Sequence, residues 1–139
     1  MIRSFMKLLV FTVLLVVFAF PVVSHANNNL LVLTITSEHC TNCQKLEPVL
    51  KELRDEYFGQ IEFLTLNITS RSSIEEAKQK AEEYEIVEIF ESNKNAIPKV
   101  LILCPGEKIE KSFLGETRKE VYKQAFDEVI LNEIELCSI

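Results

Sequence analysis

Apolar positions along the chain change period several times, and each change marks an element. Residues 8–20 are apolar throughout except for Thr12, and Pro21 closes the run. Leu30–Thr36 is a shorter run of Leu, Val, Ile and Thr, which predicts a buried strand. From Cys43 the spacing turns helical: Cys43, Leu46, Leu50, Leu53 and Tyr57 follow at steps of three and four, so they share one face. Pro48 lies inside this helix and predicts a kink, because it has no N–H to donate. Gly59 ends the helix. Residues 61–68 read as a second strand. Ser72 and Glu75 have capping-box spacing, and Ile74, Ala77, Ala81 and Tyr84 follow on one helical face. The pattern is irregular through Ile86, Val87, Ile89 and Phe90, and polar residues 92–95 predict a turn or loop. Residues 98–104 form a third strand, with Pro98 at its first position, where a missing N–H does least harm. Pro105-Gly106 turns into a fourth strand over 107–113, ended by Gly115. Thr117 and Glu120 make a second capping box before a last helix. That helix carries Tyr122, Phe126, Ile130, Ile134 and Cys137 on one stripe, with Val121, Ala125 and Val129 beside it.

The order is βαβαββα, which predicts an α/β domain. The βαβ unit requires a right-handed crossover between parallel strands. The tight link at Pro105-Gly106 makes the last two strands antiparallel. The result is a four-stranded mixed sheet with helices on both faces. No repeat, low-complexity tract or long linker interrupts it.

The first 26 residues stand apart from this pattern. Arg3 and Lys7 precede the apolar run, and Ser24-His25-Ala26 puts small residues at the −3 and −1 positions of a cleavage site. This is the anatomy of a signal peptide over 1–26, with a domain over 27–139. The alternative is an uncleaved anchor formed by residues 8–23, which is short against the roughly 20 residues of a membrane span. Losing Arg3 and Lys7 from the 15 Lys and Arg leaves 13 against 21 Asp and Glu, a net charge of −8. That balance argues against a nucleic-acid partner. It suits a periplasmic or secreted protein in an oxidising compartment, where disulfides persist. Cys40, Cys43, Cys104 and Cys137 all follow the cleavage site.

Cys40-Thr41-Asn42-Cys43 falls where the first strand gives way to a helix. Cys43 lies on the apolar stripe and should be shielded. Cys40 precedes the first turn, where orphan N–H groups and the helix dipole favour a thiolate. Cys40 is thus the expected attacking nucleophile and Cys43 the resolving thiol. A CxxC pair is also half a zinc site. The other ligands would have to be Cys104 and Cys137, which are expected far away, or His39, the one histidine after the cleavage site. No metal is expected. A purely structural disulfide is the other reading, but so small a loop stabilises little.

Taken together, these residues resemble the thioredoxin family. The match runs through Val32-Leu33-Thr34-Ile35-Thr36-Ser37-Glu38-His39-Cys40, through Pro48 five residues after the second cysteine, and through Asn67-Ile68 at a strand end. It continues through Ile97-Pro98-Lys99-Val100-Leu101-Ile102-Leu103, similar to the family's cis-proline strand, and Phe113-Leu114-Gly115. The resemblance covers nearly all of residues 30–136 and implies a minimal thioredoxin fold. It implies a cis bond before Pro98, facing the dithiol, with the Ile97 backbone pairing with an extended substrate. His39, Thr41 and Asn42 would flank the same groove. No cofactor is implied.

The chain departs from the family at several points. Thr34 stands where the family commonly has a buried Asp, so proton transfer to the resolving thiol must pass through water or Glu38. Thr36 and His39 replace the family's tryptophans, and the chain has no Trp. Thr41-Asn42 matches neither the Gly-Pro of reducing thioredoxins nor the Pro-His of strong oxidases. A protonated His39 would favour the thiolate and Glu38 would oppose it. Residues 87–95 look like an insertion, expected to be a longer loop rather than an added helical turn. Asn67-Ile68-Thr69 matches a glycosylation sequon, but a strand-end burial reading is preferred.

The topology also places the second cysteine pair. The third strand runs away from the active-site end, the fourth returns, and the last helix runs away again. Cys104 and Cys137 therefore share the opposite pole, and a structural disulfide is expected there. Closing that loop of about 34 residues stabilises by roughly 3.7 kcal/mol on the chain-entropy estimate. The expected activity is thiol–disulfide exchange on the cysteines of exported proteins. Ile97 before Pro98 resembles reducing thioredoxins more than oxidases, which implies a reductase supplied by a membrane electron donor. An oxidase or isomerase, and a non-enzymatic adaptor of the cell envelope, are the alternatives. A monomer is expected.

Overall fold

The computed structural model describes residues 30–105 and 108–137, with side chains at 133–136 excepted. The leader over 1–26, Gly106 of the expected turn and the side chain of Ile134 lie outside the described residues. Four strands and four helices are seen: β1 (Leu30–Thr36), α1 (Thr41–Glu56), β2 (Ile61–Asn67), α2 (Arg71–Glu83), α3 (Val87–Asn93), β3 (Lys99–Cys104), β4 (Lys108–Leu114) and α4 (Lys119–Leu136). The sheet order is β2-β1-β3-β4. β1 and β2 are parallel, while β3 runs antiparallel to both β1 and β4.

Both faces of the sheet are covered, which is why β1 and β3 read as unbroken apolar runs. On one face Leu30, Val32, Val100, Ile102 and Cys104 pack against α1 and α4. On the other, Leu33, Ile35, Leu101 and Leu103 pack against α2 and α3. The stripe Cys43, Leu46, Leu50, Leu53 and Tyr57 is buried throughout. α1 continues through Pro48. Tyr57 and Tyr122 both pack edge-on or tilted against Phe126, locking α1 to α4 through one aromatic cluster.

The expected loop over 87–95 is corrected. It contains α3, a seven-residue helix that buries Ile89 and Phe90. Ile86, Ile89 and Phe90 have helical spacing, but Glu85 separates them from α2 with a left-handed φ of 59°. The capping boxes also shift. α2 is capped by Ser70 with Ser73, two residues before the expected pair, because Ser70 is the residue with extended backbone. Ahead of α4, the Glu116 carboxylate accepts the N–H groups of Thr117 and Arg118, each at 2.9 Å, in place of the expected pair of Thr117 and Glu120. Ile74, expected on the inward face of α2, is 38% exposed.

Candidate active site

β1 delivers the chain to the site and α1 takes it away. Between them Ser37, Glu38 and His39 form a turn, closed by a bond from the Cys40 N–H to the Ser37 carbonyl at 3.2 Å. Cys40 is the N-cap of α1, with extended backbone at φ −101° and ψ 115°. Its Sγ accepts the Cys43 N–H at 3.2 Å, as the oxygen of an ordinary capping residue would. A sulfur held there sees unpaired N–H groups and the positive end of the helix, which favour a thiolate over a thiol. Cys40 and Cys43 are joined in a disulfide with Cα atoms 5.1 Å apart. Cys43 is buried at 4% exposure while Cys40 is half-buried, so the two sulfurs differ in access.

The other predicted site residues divide into two groups. Thr41, Asn42 and His39 are exposed around the disulfide. The Ile97–Pro98 bond is cis. Pro98 is buried, and its carbonyl accepts the Gly115 N–H at 2.9 Å. Gly115 has φ 69°, a conformation that L side chains rarely adopt, and a Cβ there would come within 3.9 Å of Asn42 Nδ2. The first turn of α1 at Asn42, the segment of Pro98 and the turn at Gly115 therefore meet. The Ile97 side chain turns inward against the second core. Leu114, beside Gly115, is 60% exposed, an apolar side chain that the strand pattern alone did not single out.

Behind the disulfide lies a cavity of about 630 Å3. Cys43, Thr34, Thr65, Glu38, Glu47 and Lys51 are among its lining residues. Thr34 and Thr65 are neighbours across β1 and β2. Thr34 is buried and cannot titrate, but the groove is open to solvent and carries polar side chains that water can bind. Cys43 shares this groove with Glu38 and Glu47.

Two further contacts escaped the sequence reading. The Glu38 N–H donates to Thr69 Oγ1 at 2.9 Å, and the Glu38 carbonyl accepts Gln44 Nε2 at 2.7 Å. The Asn67-Ile68-Thr69 triplet was the available signal, since Asn and Thr at that spacing form side-chain-to-backbone turns. Cys104 and Cys137 form a second disulfide, with Cα atoms 5.4 Å apart. The pairing of Ile35 with Lys99 and of Leu31 with Leu103 puts Cys104 at the far end of the sheet from Pro98. Among the described residues, no group of three or more His, Cys, Asp or Glu is placed to hold a metal ion.

A mixed sheet of this order, with a CxxC disulfide capping the helix after its central strand, defines a dithiol–disulfide exchange domain. The sequence profile of one family, described as Thioredoxin, matches residues 17–128, and the chain belongs to the thioredoxin family. No curated protein matches it. Family and dithiol together support thiol–disulfide oxidoreductase activity in general.

Proposed function

We propose that this protein is an exported oxidoreductase that reduces disulfides in other exported proteins. The observation that carries the reading is the Cys43 N–H donated to Cys40 Sγ at the helix N-cap, with Cys43 buried beneath. In the reduced enzyme the Cys40 thiolate attacks a substrate disulfide. A Cys40–substrate bond forms, the substrate S–S bond breaks, and one substrate sulfur leaves as thiolate. Cys43 then gives up its proton and attacks Cys40 Sγ. The Cys40–Cys43 bond forms and the second substrate sulfur leaves. Two electrons have passed from the enzyme dithiol to the substrate. A donor dithiol, supplied at the membrane, must return two electrons and two protons to the Cys40–Cys43 disulfide for the next cycle.

The meeting of Asn42, Pro98 and Gly115 supports a groove for extended polypeptide beside Cys40. Ile97 before Pro98, similar to reducing thioredoxins, supports the reducing direction. The leader pattern over 1–26 and the Cys104–Cys137 bond support export. Insulin reduction by wild type and by Cys40→Ser tests the reading. Wild type should be active and Cys40→Ser inactive, and equal rates would end it. In vivo, Cys43→Ser should trap mixed disulfides with exported proteins. A reduction potential near −270 mV is expected, whereas one near −120 mV would reverse the direction to oxidase.

A further inference from the structure

We infer that Thr69 and Gln44 are positioning residues for Cys40, acting through the two peptide groups of Glu38; the inference rests on the proposed exchange chemistry. Glu38 stands two residues before the nucleophile in an exposed turn, where backbone groups would ordinarily be left to water. Instead, both its polar backbone atoms have side-chain partners from different elements. Its N–H is taken by Thr69 Oγ1 at 2.9 Å, from the segment after β2. Its carbonyl is taken by Gln44 Nε2 at 2.7 Å, from the first turn of α1.

Thr69 is itself oriented. Its N–H and its hydroxyl both reach Asn67 Oδ1, at 2.8 and 2.5 Å. A hydroxyl has one proton. That proton goes to Asn67 rather than to Ser37 Oγ at 3.4 Å, which leaves the Thr69 lone pairs to accept from Glu38. Asn67 is the last residue of β2, and the parallel ladder continues past it through the Ile68 N–H and the Thr36 carbonyl at 2.9 Å. A rigid strand end thus holds Thr69, Thr69 holds Glu38, and Glu38 sets the turn whose closing bond joins Cys40 to Ser37. Gln44 ties the same turn to the helix that Cys40 caps. The sulfur accepts the Cys43 N–H only while this short turn keeps its shape. If Glu38 is released, Cys40 loses part of the capping geometry that stabilises its thiolate. The reduced state is then weakened relative to the disulfide.

The test uses the full chain, reduced, as wild type, Thr69→Val, Thr69→Ser and Gln44→Leu. Iodoacetamide alkylation of Cys40 at neutral pH and equilibration with glutathione are the readouts. Thr69→Val should slow alkylation about threefold, the scale of one net hydrogen bond. It should also move the glutathione equilibrium about threefold toward the disulfide, which is about 14 mV more negative. Gln44→Leu should move both in the same direction, and Thr69→Ser, which keeps the hydroxyl, should restore both. A folded Thr69→Val with wild-type alkylation and equilibrium would overturn the inference, as would a Thr69→Ser no better than the valine. If Thr69→Val fails to fold, Gln44→Leu at its exposed helical position decides in its place. A merely structural role would lower the unfolding temperature without moving the equilibrium. Cys40→Ser in the insulin assay separates the two levels. Activity equal to wild type removes the exchange chemistry itself. An inactive serine variant beside an unshifted Thr69→Val removes only the clamp.

Discussion

Glu85 is the non-glycine residue with positive φ among those described, and its surroundings explain why it is held there. The Ile86 N–H reaches the Ala81 carbonyl at 2.8 Å and the Glu85 N–H reaches Glu82 at 3.1 Å, the two bonds of a Schellman motif. Ala81 and Ile86, the pair that accompanies such a motif, are both buried in the second core. The position suits glycine. The left-handed conformation costs an L residue roughly 1–2 kcal/mol, part of which glycine returns through its freer unfolded chain. Glu85→Gly should therefore raise stability by about 0.5–1 kcal/mol, read as a higher urea midpoint at unchanged slope. This site was not legible in the sequence, because nothing in Tyr84-Glu85-Ile86 announces a left-handed residue. Cys40 was legible, since a cysteine between a strand and a helical stripe has only the cap position to occupy. Thr69 was not, because its partner lies 31 residues away at Glu38.

Among the elements, α3 and α4 show opposite relations between pattern and outcome. α4 was visible in its stripe, and Tyr122, Ala125, Phe126 and Val129 are indeed buried. α3 is only seven residues long, and so short a segment has little intrinsic helicity. Burial of Phe90 against the sheet makes it a helix, and that burial is a tertiary fact. The two helices of the first core are tied by charge as well as by aromatic contact. Lys119 bridges Glu52 and Glu56 at 3.0 and 3.3 Å, and Lys123 pairs with Glu56. These pairs are partly exposed and contribute little individually. The far end of α4 is held more firmly, by the Cys104–Cys137 bond across a sequence separation of 33. Replacing both cysteines by alanine should destabilise the fold by about 2–5 kcal/mol. It should leave insulin reduction by the folded fraction unchanged, because the bond lies at the opposite pole. Chemical denaturation and the insulin assay on the same double variant check the two halves of this statement.

For the whole molecule, the ionisable groups define a pH range of full stability. The Arg118 guanidinium, helped by the N–H groups of Arg118 and Thr117, holds the Glu116 carboxyl down to about 2. A depressed carboxyl contributes stability above its unfolded value of about 4.3, and that contribution fades as pH falls toward about 2. At the other limit the bond to Glu62, with burial second, pushes the Tyr84 phenol up to about 12. Burial also raises Tyr57 and Tyr122. A phenol raised in the fold stabilises it below about pH 10, and that support is lost as pH rises through the folded value. The urea midpoint should thus be level between these limits and fall beyond them. Glu116→Gln should flatten the acid limb and Tyr84→Phe the alkaline one. Tyrosinate absorbance in the folded protein should begin to grow only above the ordinary phenol range.

The sequence by itself determined the order of the four strands and of the three longer helices, the two-sided sheet, the unequal burial of Cys40 and Cys43, and the separate poles of the two cysteine pairs. Each of these follows from apolar periodicity and chain direction, which are local or depend only on element order. Only the tertiary structure decided what surrounds the dithiol: the clamp on Glu38, the meeting of Asn42 with Gly115, the cavity behind Cys43 and the helical form of residues 87–93. Those depend on contacts between segments far apart in the chain, whose geometry is set by packing rather than by any local pattern.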